Sequence, residues 1–111
     1  MKHLILALIL PLSVGAYDPD DLTLLKETKR CYSCDLSKAN LAGANLEKAN
    51  LERSGLWWAN LEETNLRRAR LDGANMKGAV TDYTLMLNTR IRNTTMPDGR
   101  VIYFGYGTDF N

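Results

Sequence analysis

Apolar and polar positions repeat along this chain with a period of five. From Cys34 to Asp98 a leucine or a substitute for it returns every fifth residue, two positions after a small side chain. The blocks read CDLSK, ANLAG, ANLEK, ANLER, SGLWW, ANLEE, TNLRR, ARLDG, ANMKG, AVTDY, TLMLN, TRIRN and TTMPD, with no gap between them. Their centres form a ladder of Leu36, Leu41, Leu46, Leu51, Leu56, Leu61, Leu66, Leu71, Met76, Met86 and Ile91, with Thr81 and Met96 at the looser positions. Internal repetition outranks other signals when architecture is read from sequence.

A five-residue period suits neither regular element. On an α-helix, at about 100° per residue, the centres would spiral around the cylinder and leave no polar face. On a flat strand an odd period sends successive centres to opposite faces. Asn, Gly and Thr recur in the blocks and are weak helix formers. The pattern closes only if each block bends the chain about one axis, so that every centre points inward. Stacked coils of that kind bury a continuous core that no single block could bury alone.

This run of A-N-L-x-x blocks resembles the pentapeptide-repeat family. The resemblance implies an all-β solenoid, a right-handed quadrilateral β-helix with four blocks per turn. Here it implies about three coils and an N-terminal capping helix. A twenty-residue step per coil then stacks the centres in columns: Leu36/Leu56/Met76/Met96, Leu41/Leu61/Thr81, Leu46/Leu66/Met86 and Leu51/Leu71/Ile91. Asn40, Asn45, Asn50, Asn60, Asn65 and Asn75 precede the centres, and their amides are placed to bond turn backbone.

The flanks divide the chain further. Residues 1–16 read as a signal peptide: Lys2 and His3 start it, Leu4 to Leu12 is apolar but for one proline, and Val14-Gly15-Ala16 is a small-residue cleavage site. The apolar run is too short to span a bilayer. The chain is expected to be exported, to the bacterial periplasm or outside the cell. Residues 17–33 form a capping helix and linker, with the helix over Tyr17 to Arg30: Asp18 suits the N-cap, Pro19 the first helical position, and Lys26, Lys29 and Arg30 the last turn. Residues 34–98 are the β-helix. Residues 99–111 are a tail that leaves through the turn signal Pro97-Asp98-Gly99 and is expected to cover both the last coil and an apolar patch.

Charge and composition narrow the function. The sequence has 14 Lys and Arg, 13 Asp and Glu, and one histidine. Loss of the leader removes that histidine and leaves the charges balanced, so no nucleic acid and no stable membrane anchor are expected. Outward charges stack as Glu47 under Arg67, and Glu52 and Asp72 under Arg92, with a modest basic patch at Lys48, Arg67, Arg68 and Arg70. No nucleophile–base pair, phosphate-binding loop, cofactor site or metal constellation is legible, so the chain is not expected to be an enzyme.

Candidate chemistry sits where the repeat breaks. Cys31 and Cys34 make a C-x-x-C that reads as a structural disulfide, as buried free thiols, or as redox or metal chemistry. The run DLTLLKETKRCYSCDLSKANL resembles the start of exported bacterial pentapeptide-repeat proteins, which implies the structural role. Trp57 and Trp58 occupy both outward positions of one block and mark either a contact surface or a site of internal packing. Tyr83, Leu85 and Leu87, with Val80, are apolar where the repeat points outward, and mark either an interface or a place the tail covers. The expected role is a structural scaffold or interaction module that docks an unidentified protein, as monomer or homodimer. The alternatives are a DNA mimic that binds gyrase, as the resemblance allows, and a thiol-redox protein.

Overall fold

The computed structural model describes residues 16–110. The expected signal peptide, apart from Ala16, lies outside the described residues. Among the described residues an α-helix, α1 (Pro19–Thr28), precedes the repeat, and two short strands, β1 (Thr94–Thr95) and β2 (Val101–Ile102), close it.

Between them the chain coils with a pitch of twenty residues. Parallel single-residue bridges join Asp35 to Gly55, Asn40 to Asn60, Asn45 to Asn65 and Asn50 to Arg70. The next coil continues them with Gly55 to Asn75, Asn60 to Val80, Asn65 to Leu85 and Arg70 to Arg90. Each side of the coil gives one bridge residue and then turns, so long strands do not form. Five residues that must include a corner leave too little extended chain for a ladder. The corner follows one rule. The N–H of the small residue donates to the carbonyl of the preceding centre, as from Ala39 to Leu36 at 3.1 Å. The residue before it takes positive φ, for example Lys48 at 63° and Arg53 at 60°. That left-handed residue is what a type II turn requires at its second corner position.

The repeat asparagines stabilise these corners. Asn40, Asn45, Asn50, Asn60, Asn65 and Asn75 each accept the backbone N–H two residues on. Between coils, the centre and the second corner residue donate upward, as Leu36 N–H to the Gly55 carbonyl (2.8 Å) and Lys38 N–H to the Trp57 carbonyl (2.7 Å).

All eleven ladder residues from Leu36 to Ile91 are buried. After Cys34, the small positions beside them are alanines, or hydroxyl residues whose polarity is used. Ser54 donates to the Cys31 carbonyl, Thr64 to Leu41, Thr84 to Leu61, Thr89 to Leu66 and Thr94 to Leu71. Each bond joins a coil to the one below it. A Thr84→Val change keeps the shape but takes the hydroxyl donor away from the Leu61 carbonyl. It is expected to cost about 1–2 kcal/mol, read as a lower urea midpoint at unchanged m-value.

Helix α1 is set by its ends. The Asp18 side chain accepts the Asp20 N–H at 2.8 Å, Pro19 occupies the first turn, and Lys29 ends the helix in the left-handed region at φ 57°. Leu25 is fully buried in one cluster with the cysteines and the first ladder leucines, and Tyr17 and Leu22 pack beside it. The Asp18 N–H donates to the Asp35 carbonyl at 3.0 Å, and the Asp35 N–H to the Asp21 carboxylate at 2.8 Å.

At the other end β1 and β2 pair antiparallel around the Met96–Arg100 turn, with Thr94 opposite Ile102. The chain then runs back and bridges Tyr106 antiparallel to Arg90. The tail does not cover the apolar patch: Val80, Tyr83 and Leu87 stay exposed. Its atoms are spent on the open N–H groups of the last coil. Asn88 N–H donates to the Gly107 carbonyl at 3.1 Å, and Ile91 N–H to the Gly105 carbonyl at 3.3 Å.

Candidate functional site

The block Ser54-Gly55-Leu56-Trp57-Trp58 obeys the repeat inside and breaks it outside. Leu56 is buried, while Trp57 and Trp58 are 40% and 61% exposed. Their rings are seated by two glycines. A Cβ on Gly55, where most blocks carry asparagine, would collide with the Trp57 ring. A Cβ on Gly78, one coil above, would lie 2.5 Å from the Trp58 ring. Each indole therefore rests against backbone that only glycine leaves clear. Trp58 holds φ at 57°, the same left-handed corner as its counterparts.

Val80 and Tyr83 continue this surface. The Trp58 N–H donates to the Lys77 carbonyl at 3.0 Å, Val80 N–H to the Ala59 carbonyl at 2.9 Å, and Glu63 N–H to the Asp82 carbonyl at 3.0 Å. These rungs set Val80 and Tyr83 on the coil directly above, around the next corner. Tyr83 is 63% exposed. Leu85 and Leu87 are not part of the same surface. Leu85 is partly covered, and Leu87 lines a different wall with Glu47, Arg67, Arg68 and Asn88.

The cysteines form no open site. Cys31 and Cys34 are bonded to each other, with their Cα atoms 5.4 Å apart. Cys31 is fully buried and Cys34 nearly so, beneath Leu25. Attack on a disulfide needs an approaching thiolate, and both sulfurs lie inside the core. Among the described residues no group of His, Cys, Asp and Glu is arranged to hold a metal ion, and no helix is long and apolar enough to cross a membrane.

The outward charges pair diagonally. Arg68 meets Glu47 at 3.8 Å, Arg70 meets Glu52 at 3.6 Å and Arg90 meets Asp72 at 2.7 Å. Glu47 lies under Arg67 and still acts on it through space, but Arg67 reaches the tail. Its guanidinium donates to the Asp109 carboxylate at 2.6 Å. The other Asp109 oxygen accepts the N–H groups of Met86 and Leu87, at 2.9 Å each. The Arg67 hydrogen bond, joined by the Leu87 and Met86 N–H groups, holds the Asp109 carboxyl below the usual carboxylate range. Nothing in the repeat pattern marks Asp109, since it lies outside the blocks.

Comparison with known proteins places these features. The family described as Pentapeptide repeats matches residues 34–54 and 56–80, in eight copies. No curated protein matches the sequence. Among solved structures the fold is similar to HetL, a pentapeptide repeat protein involved in heterocyst differentiation regulation from the cyanobacterium Nostoc sp. strain PCC 7120. The TM-score is 0.52 and the identity 24%, over 66% of this chain and 40% of that one. The chain thus spans under half the length of HetL, and the likeness speaks for the shared right-handed quadrilateral β-helix alone. The family match ends at Val80, yet the rungs continue to the Asn75–Thr95 bridge.

Proposed function

The chain belongs to the pentapeptide-repeat family, and from that premise we propose that it is a non-enzymatic exported scaffold that docks another protein on its tryptophan wall. In this reading roughly three coils make a rigid rod, with α1 over one end and the tail over the other. The observation that carries it is the seating of Trp57 and Trp58. Two large rings stay exposed on a wall that places glycine against each of them. Rigid aromatic side chains of this kind anchor protein interfaces at low entropic cost.

The buried Cys31–Cys34 bond favours a structural role for the pair over exchange chemistry. DNA mimicry gains little support, because the outward charges of both signs are interleaved along the walls.

The test is capture from a periplasmic extract by the wild-type chain and by a Trp57→Ala/Trp58→Asn variant. Asparagine at position 58 tolerates the left-handed corner, so the variant is expected to melt like the wild type. A partner identified on the wild type and absent from the variant supports the reading. Equal capture by both removes the tryptophan wall from it.

A further inference from the structure

The strongest unassigned feature lies away from the tryptophans, where α1 meets the first coils. An open groove of about 870 Å³ is lined by Leu24, Thr28, Lys29, Arg30, Tyr32, Lys48, Asn50 and Arg70. Four of these residues are cations and none is a carboxylate. We propose that this groove binds a phosphate group carried on an apolar body.

The fold sets the donors in register. Arg30 bridges Asn50, and Asn50 bridges Arg70, so the three stand one above another on a single column. At about 4.8 Å between neighbouring strands, the two arginines flank Asn50 by one coil each. Lys48 comes from the corner just before Asn50, and Lys29 from the left-handed end of α1. Asn50 Oδ1 is taken by the Glu52 N–H at 3.0 Å. Its Nδ2 is thereby left as a donor at the centre of the column.

Elsewhere four arginines are paired: Arg67, Arg68, Arg90 and Arg100 each hold a carboxylate. Among the described residues Lys29, Arg30 and Lys48 hold none, while Arg70 is paired with Glu52 at 3.6 Å. The groove is therefore rich in charged donors and poor in acceptors. An oxyanion with three acceptor oxygens uses such a set more fully than a carboxylate does. Leu24 and Tyr32 are both exposed at its edge, and they supply an apolar rest for whatever carries the phosphate. Tyr32 is steadied by the Arg53 guanidinium, 5.8 Å from its ring centroid. A near-zero net charge conceals this site, because Lys29, Arg30 and Lys48 are gathered locally beside the Arg70–Glu52 pair.

Two sources share this chemistry, a soluble phosphomonoester and a lipid headgroup, and the experiment separates them. The probes are inorganic phosphate, phenyl phosphate, and vesicles of phosphatidylglycerol with phosphatidylcholine vesicles as control, each at physiological ionic strength. Phenyl phosphate is expected to bind saturably and more tightly than inorganic phosphate, and to shift the amide signals of Arg30, Lys48 and Asn50. An Arg30→Gln/Lys48→Gln variant, which removes two charges at exposed positions, is expected to weaken binding at least about tenfold at an unchanged melting temperature. Leu24→Ser is expected to remove the advantage of phenyl phosphate over inorganic phosphate. Vesicle binding lost in the same double variant assigns the lipid source, and phenyl phosphate binding without vesicle binding assigns the soluble one. No saturable binding of phenyl phosphate or of phosphatidylglycerol vesicles overturns the proposal, as does binding that the double variant leaves intact.

Discussion

A Leu61→Arg variant is expected to lose the coil altogether. Leu61 is fully buried in the column that runs from Leu41 to Thr81. Its N–H donates to Val80 above, and its carbonyl accepts the Thr84 hydroxyl. The core cluster is leucine, alanine, methionine, isoleucine and the two cysteines, and it holds no carboxylate to pair with a guanidinium. A charge left unpaired in such a place costs at least about 4 kcal/mol. The total stability of a small domain is about 5–15 kcal/mol. Coils hold one another through nearest-neighbour contacts, so damage in the middle coil separates the coils on either side. Thermal unfolding followed by circular dichroism should show the cooperative transition lost or strongly lowered. Glu62→Arg, the next residue and exposed, serves as the control and is expected to change stability by less than about 0.5 kcal/mol.

Removing residues 101–111 is the second large change. The tail completes the last coil where a further coil would otherwise stand. Without it Met86, Ile91 and Met96 face water at the open end, since the tail and these residues now share one cleft of about 340 Å³ with Ile102, Tyr106 and Phe110. Exposing three such side chains costs about 4 kcal/mol or more. The bared end also presents unpaired strand groups that invite association. The expected result is a lower melting temperature together with concentration-dependent aggregation. An unchanged melt and unchanged solubility would falsify the closing role of the tail.

Acid should reproduce part of this effect. The Asp109 carboxyl is depressed in the folded chain, first by Arg67 and then by the Leu87 and Met86 N–H groups. A depressed carboxylate contributes stability above its unfolded value that is lost as pH falls through the folded one. Full-length protein should therefore loosen at the tail below about pH 4, and Asp109→Asn should remove the share due to this carboxyl, leaving that of Asp98, which is depressed by its hydrogen bonds from Arg100.

The ladder was legible because the repeat of leucine and alanine encodes the inside of the coil directly. A five-residue period leaves one geometry in which Leu36 through Ile91 all point inward, and burial follows. The asparagine corners were legible for the same reason. The outside was not. Arg67 stands over Glu47 but its guanidinium holds Asp109, because a long side chain reaches past its own column to a tail that carries no repeat register. The tail was expected over Val80, Tyr83 and Leu87. It ends instead on the N–H groups of Met86, Leu87, Asn88 and Ile91, because unpaired backbone at a coil's end is the stronger demand. Gly55 is visible in the sequence as a departure from the asparagine pattern, whereas Gly78 is one of several corner glycines. Their pairing with Trp57 and Trp58 follows only once the twenty-residue pitch puts Gly78 above Trp58. The groove at Arg30 was hidden differently, since it joins a helix end to two separate coils.

The twenty-residue pitch also fixes how a chain like this can change length. Insertion of one block of five rotates everything after it by a quarter turn, which would carry the tryptophan wall or the tail anchor to a different side of the rod. Insertion of four blocks restores every column and moves the ends apart by one coil, with α1 and Asp109 still meeting the partners they meet now. Duplication of whole coils is therefore the route by which a rod of this kind lengthens without scrambling its surfaces, and any binding face that spans two walls keeps its shape only along that route.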